Sequence, residues 1–283
     1  YNGDSVQATT AKLYRPSAVF ISISGDMYIG DTYNMRIRKV TQGGTITTIA
    51  GNGTQGFGGD GGLATAAVLD YPMGVVLDAT GNLYFADWAN GRVRMVNGSG
   101  IINTAAGGGG TYGDGGPATS ATLNFPSALA FDLLGNMYTA DESCNTVRKI
   151  SSSGIISTVA GIPCSWSTAV SDGIQATSSH LYQPMGVAVD GAGNICIADQ
   201  LHQRIRKVDQ SGIVNTIAGS GCSGTSCGGF SGDGGLATSA LLRWPSAVIS
   251  DAAGNIYIAD NHNNRIRKVD ASGIITTIVG IGT

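Results

Sequence analysis

Five aspartates recur at one position of an internal repeat: Asp31, Asp87, Asp141, Asp199 and Asp260, spaced by 56, 54, 58 and 61 residues. An arginine follows each of them, as Arg94 follows Asp87 and Arg267 follows Asp260. A carboxylate beside a guanidinium can orient a substrate or a water. A reaction needs such a pair once, however, and five copies point to architecture. The aspartate is expected to accept turn N–H groups after a second strand, and the arginine to pair with carboxylates between repeat units. A second set, Asp60, Asp114 and Asp233, lies in GDGG segments that resemble pieces of a calcium loop. A calcium site wants about six to eight oxygens. One carboxylate among glycines and threonines reads instead as a turn former. GGGGTYGDGG lacks the lysine and following helix of a phosphate-binding loop. His180, His202 and His262 share no metal-ligand spacing and occupy three different repeat positions. The one Gly-x-Ser-x-Gly match, at 224–228, lies inside a Gly/Ser insertion and not between a strand and a helix, so it is no nucleophile elbow, and Cys196 has no evident base nearby in sequence. No catalytic residue, metal site or cofactor is therefore expected.

The elements around these residues follow from composition and repetition. Glycine makes up 44 of 283 residues, charged residues only 12%, and Glu142 is the one glutamate. Val, Ile, Thr and Tyr are plentiful, a balance that favours strands and tight turns. The hydrophobic fraction of 42% supports a core, so the glycines mark turns and not disorder. The net charge of −3 and the lack of a basic stripe argue against a nucleic-acid partner. No apolar run reaches the roughly 18 residues of a spanning helix. The chain opens YNGDSVQ, without a charged and apolar leader, and reads as a mature or excised chain, or one that never carried a signal peptide.

Five segments read alike, among them YPMGVVLDATGNLYFADWANGRVRMV and WPSAVISDAAGNIYIADNHNNRIRKV. Each holds four short strand signals separated by Gly-Asn, Asn-Asn or Ser-Gly turns. Four antiparallel strands per unit of about 40–55 residues is the mark of a propeller blade. The pattern P-x-G-V-x-x-D-x-x-G-N-x-Y-I-A-D-x-x-N-x-R-I-R-K-V resembles the NHL repeat family. The linker seen as GDGGLATAAVLDYP, GDGGPATSATLNFP and GDGGLATSALLRWP also looks like that family's bacterial and algal arrays. It is degraded in SDGIQATSSHLYQP and GDSVQATTAKLYRP. The expected fold is an all-β propeller of five four-stranded antiparallel blades, at approximately 1–53, 54–109, 110–162, 163–220 and 221–283, forming one domain. Both ends fall at the same repeat phase. A closed five-bladed ring is expected, with packing against further chain as the alternative. The resemblance implies that an enzyme of the propeller lyase or lactonase kind would need histidine or carboxylate ligands converging on the central channel. The first strands offer PSAV, PMGV, PSAL, PMGV and PSAV, which are small and neutral.

What the repeats do not share bears on function. Cys222 and Cys227 close a Gly/Ser insertion, GCSGTSCGG, and are expected to form a disulfide. Cys144 and Cys164 both depart from the repeat and are paired too, while Cys196 replaces a tyrosine and should be a buried free thiol. Added cysteines in variable loops suggest an oxidising compartment, against the alternative of five reduced thiols in a cytosolic protein. Asn52-Gly-Thr and Asn97-Gly-Ser are candidate glycosylation sequons, both expected to be exposed. The turns after the repeated aspartate vary, and loops on a rigid scaffold carry recognition. Tyr33, Trp88, Glu142 and His262 are accordingly the candidate binding face, with ordinary surface variation as the competing reading. Trp244 aligns with Tyr71 and Phe125 and is expected in the core, whereas Trp166 is expected to be exposed. The leading expectation is a secreted or cell-surface, non-enzymatic scaffold that binds proteins or self-assembles, such as a subunit of an appendage, fibre or matrix. A lectin-like or small-ligand-binding propeller is the second reading, and a propeller lyase or hydrolase the third.

Overall fold

The computed structural model describes residues 3–221 and 223–282. Five antiparallel sheets follow one another along the chain, each built from one repeat, and the fold is an all-β, five-bladed propeller. The helical elements among the described residues are single 3-10 turns. None is long and apolar enough to cross a membrane.

Blade 2 shows the plan. Its strands are Pro72–Leu77, Leu83–Asp87, Arg92–Val96 and Ile102–Gly107, paired in that order. The D-x-x-G-N motif makes the first hairpin. Asp78 accepts the N–H groups of Thr80 and Asn82 and the Asn82 side-chain amide. Burial opposes its ionisation, yet these hydrogen bonds prevail and hold the carboxyl below its usual range. The turn fixes the register, and one slipped residue would turn every apolar side chain to the wrong face.

The linkers add something the strand pattern does not announce. Val6–Gln7 pairs with the outer strand Thr45–Ala50, and Ile174–Gln175 with Ile213–Ala218. Leu63, Pro117 and Leu236 make single bridges at the same place in the other repeats. The segment after each GDGG or its variant thus lies along the outer edge of its own blade. It covers part of a row of N–H and C=O groups that would otherwise invite edge pairing.

The chain forms two compact units, residues 1–129 with 150–156, and 130–149 with 157–283. In the first, Ile37, Leu69, Val75, Phe85 and Ile102 form the core between blades 1 and 2. The first strands of blades 2 and 3 also approach closely: a Cβ on Gly74 would lie 2.7 Å from the Ser127 carbonyl oxygen, so only glycine fits. In the second, Ala198, Ile205, Leu242, Val248, Ile258 and Ile275 play the same part. Blade 1 departs from the pattern on its other side. Val19 is 62% exposed, while Val75, at the same repeat position, is 5% exposed.

Cys144 and Cys164 are joined by a disulfide. Cys227 is also disulfide-bonded, and its expected partner Cys222 lies outside the described residues. Cys196 is free and buried, and desolvation pushes its thiol up to about 11, so it is inert at neutral pH. The sequons differ from expectation. Asn52 is exposed, but Asn97 is half-buried because its carboxamide oxygen closes the hairpin onto the N–H groups of Ser99 and Ile101.

Candidate functional site: the turn end of the blades

The second strand of each blade ends on the repeated aspartate, which is fully buried. Asp87 Oδ1 accepts the N–H of Asp70, and Oδ2 accepts from Asn90 Nδ2 and Arg94 Nη1 at 2.9 and 3.1 Å. Asp31, Asp199 and Asp260 take the corresponding N–H groups of Tyr14, Tyr182 and Arg243. The expectation that these carboxylates accept N–H groups of the turn after strand two is corrected in part: from that turn they take a side chain, as Asp87 takes Asn90 Nδ2. Their amide partner belongs to the segment entering strand one, 17 residues earlier, because that segment returns to the same end of the blade.

The arginine is corrected as well. Arg94 bridges Asp87 and the linker Asp60 at 3.1 and 2.7 Å, within one repeat. Arg267 does the same with Asp260 and Asp233, and Arg206 with Asp199 and Asp172. The GDGG aspartate is therefore an anchor and more than a turn former. Asp60 also accepts from Thr104. Phe57 lies over the guanidinium groups of Arg92 and Arg94, at 3.9 and 4.9 Å. All these groups are committed to structure.

One further position ties each turn to its linker. Asn90 Nδ2 spends its second hydrogen on the Gly56 carbonyl, and Asn263 Nδ2 bonds Asp260 and the Gly229 carbonyl. In blade 4 this residue is His202, fully buried. Its Nδ1 is 2.7 Å from Asp199 Oδ2, and its Nε2 is 2.8 Å from the Ser167 carbonyl oxygen. The carbonyl can only accept, so Nε2 donates to it, while Nδ1 faces the Asp199 carboxylate. In blade 3 the position is Cys144, whose disulfide to Cys164 reaches 20 residues forward instead, to the linker that follows the blade. His202→Asn supplies two hydrogens and is expected to stay within about 1 kcal/mol of the parent. His202→Ala strands two buried acceptors and is expected to lose about 2–3 kcal/mol, read by urea denaturation.

The residue before each strand-one proline has a left-handed backbone: φ is 47° at Arg15, 50° at Tyr71, 60° at Phe125, 48° at Gln183 and 51° at Trp244. This conformation is unfavourable for non-glycine residues. It is held by the neighbouring turn, as when Trp244 N–H donates to Gln203 Oε1 and Gln183 N–H to Asn145 Oδ1. The sharp bend throws the side chain onto the end of the blade. Trp244 is therefore half-buried against His262, with ring centroids 4.2 Å apart, and is not core as expected.

In the first unit the same bend, at Tyr71 and Phe125, places two rings in a row of five. Tyr14, Tyr33, Tyr71, Trp88 and Phe125 follow one another at centroid distances of 5.2, 5.0, 6.3 and 4.4 Å. Tyr33 and Trp88 were legible as face candidates; Tyr14, Tyr71 and Phe125 were not. Tyr33 and Phe125 are 39% and 38% exposed. Arg15 caps Tyr33, 5.0 Å from its centroid. Glu142 and His262 lie in the second unit, Glu142 half-buried and His262 exposed. Among the described residues no three His, Cys, Asp or Glu side chains converge as metal ligands.

Comparison with known proteins follows the repeat. The family model of the Teneurin NHL domain matches residues 52–112, 163–227 and 221–283. Teneurin-4 of Mus musculus is 31% identical over 287 residues, and teneurin-m of Drosophila melanogaster 26% over 290, covering 87% and 92% of this chain. The chain spans about a tenth of the length of these relatives. Among solved structures, an auxiliary nutrient binding protein from Bacteroides ovatus superimposes with a TM-score of 0.66 at 16% identity, covering 95% of this chain and 61% of that one. A streptogramin B lyase gives 0.59 at 12%, covering 95% and 70%, and a nidogen/laminin complex gives 0.61 at 18%, covering 91% and 76%. These likenesses show the fold alone.

Proposed function

This chain belongs to the Teneurin NHL domain family, and from that membership we propose that it is a non-enzymatic recognition propeller, outside the cell or at its surface, that binds protein. The observation that carries this reading is the row of five rings from Tyr14 to Phe125. Aromatic side chains supply large, stiff contact area and are enriched in protein interfaces. Here they stand on turns anchored by buried ion pairs, so little ordering cost remains at binding. The Cys144–Cys164 disulfide supports an oxidising compartment. The exposed Asn52 sequon would carry a glycan there without disturbing the core. The inner strands present small, neutral residues, and the repeated carboxylates are spent on arginines, which supports binding over catalysis.

The test is recovery of the native assembly after mild cross-linking, comparing the parent with a Tyr33→Ser, Trp88→Ser double variant. A stoichiometric partner, or a second copy of the chain, is expected with the parent and lost at least tenfold in a variant of unchanged melting temperature. A parent chain that is monomeric and partner-free in native extracts would sink the proposal.

A further inference from the structure

We propose that the second unit carries a separate binding site for a neutral saccharide at Trp166. The site is a shallow pocket of about 250 Å³ lined by Ser143, Asn145, Trp166, Tyr182 and Gln183. It does not depend on the aromatic row, which is built from other residues.

Three features define the ligand. The indole of Trp166 is 65% exposed and stacks on Tyr182, with centroids 5.7 Å apart and planes 24° from parallel. Its outer face is a flat apolar platform, the surface that the C–H face of a pyranose ring covers. Around it stand neutral donors and acceptors. Among the described residues the Ser143 hydroxyl, the Gln183 carboxamide and the Asn145 Nδ2 have no hydrogen-bond partner, although Asn145 Oδ1 holds the Gln183 backbone N–H. Hydroxyls and carboxamides that both give and accept match a polyol. None of the five lining side chains is charged, which disfavours phosphates and charged peptides. The rings form a parallel wall, not the aromatic cage that a quaternary ammonium requires. The volume falls just under the range of about 300–1,000 Å³ that holds a drug-sized ligand, a fit for one or two sugar rings.

The platform is also fixed in advance. Trp166 sits between two ties: Cys164 is bonded to Cys144, and the Ser167 carbonyl accepts from buried His202. Ser223 Oγ adds a bond to the Thr168 carbonyl, 2.9 Å long. These ties convert an insertion into a stand for one side chain, and preorganisation of this kind lowers the ordering cost of binding. No other repeat carries a tryptophan at this place.

A panel of neutral mono- and oligosaccharides of glucose, galactose, mannose and N-acetylglucosamine, read by saturation-transfer NMR and on a glycan array, tests this. Saturable binding is expected for at least one of them, weakened at least tenfold by Trp166→Ala and several-fold by Gln183→Ala. Trp166→Phe should restore part of it. Trp88→Ser should leave it unchanged, which separates this site from the proposed protein face. Because Trp166 is exposed, its variants should keep the parent melting temperature. No binding by any neutral sugar at millimolar concentration, binding that survives Trp166→Ala in a folded variant, or preference for a peptide over every sugar would overturn the proposal.

Discussion

Arg94→Met is expected to cost the fold about 3–5 kcal/mol, among the largest losses available from a single side chain here. The guanidinium is fully buried and reaches two carboxylates, Asp87 at 3.1 Å and Asp60 at 2.7 Å. Asp87 is equally buried, so its loss of Arg94 leaves a carboxylate supported only by the Asp70 N–H and Asn90. The two halves of the clamp should then separate experimentally. Asp60→Asn touches the solvent-facing carboxylate and is expected to cost about 1 kcal/mol or less. Pairing Arg94→Met with Asp87→Asn removes the stranded charge and should recover more than half of the loss. Urea denaturation of the parent, Arg94→Met, Asp87→Asn and the paired variant forms a double-mutant cycle. A small loss for Arg94→Met alone would show that water reaches Asp87 and that the clamp is not the anchor described.

Phe85→Ala is expected to lose a similar amount, about 3–5 kcal/mol. Its ring is fully buried in the core between blades 1 and 2, among Leu69, Val75 and Ile102. The surrounding sheets are braced by linkers and cannot collapse far into the cavity, which places the cost toward the upper part of that range. A companion pair isolates packing from residue type. Val75→Ala removes two buried methyl groups and should cost roughly 1.5–2 kcal/mol at about 0.8 kcal/mol each. Val19→Ala makes the same change at the same repeat position but on an exposed face, and should cost less than about 0.5 kcal/mol. Equal losses would mean that Val19 is covered in solution.

Most of the architecture was legible because it is local. The D-x-x-G-N hairpin is closed by Asp78 on residues two and four positions away, and such turns announce themselves in sequence. The Cys144–Cys164 pair could be read because both residues depart from the repeat. The partners of the repeated Asp and Arg were misread because they lie 17 and 34 residues apart, and only the folded path brings them together. Trp244 was misassigned for a conformational reason. Its position aligns with other aromatic residues, which suggests a core, but the positive φ before proline turns the side chain outward. The aromatic row combines two such outward turns, at Tyr71 and Phe125, with the variable turn residues Tyr33 and Trp88 and with Tyr14 beside Arg15, so no single motif could reveal it. The Trp166 pocket depends on a tie through His202 that no other repeat makes with a histidine.

The turn-to-linker tie also bears on how such a chain can change over generations. Asn90, His202 and Asn263 reach back 34, 35 and 34 residues to their linker carbonyls. The separation stays nearly constant although blade 5 follows a much longer linker. The extra residues that include Cys227 all fall upstream of Gly229, on the far side of the fastened point. Insertions there lengthen a surface loop without shifting the register of any strand. New recognition elements can therefore be acquired one repeat at a time, with selection acting on the loop while the blade beneath it is left undisturbed.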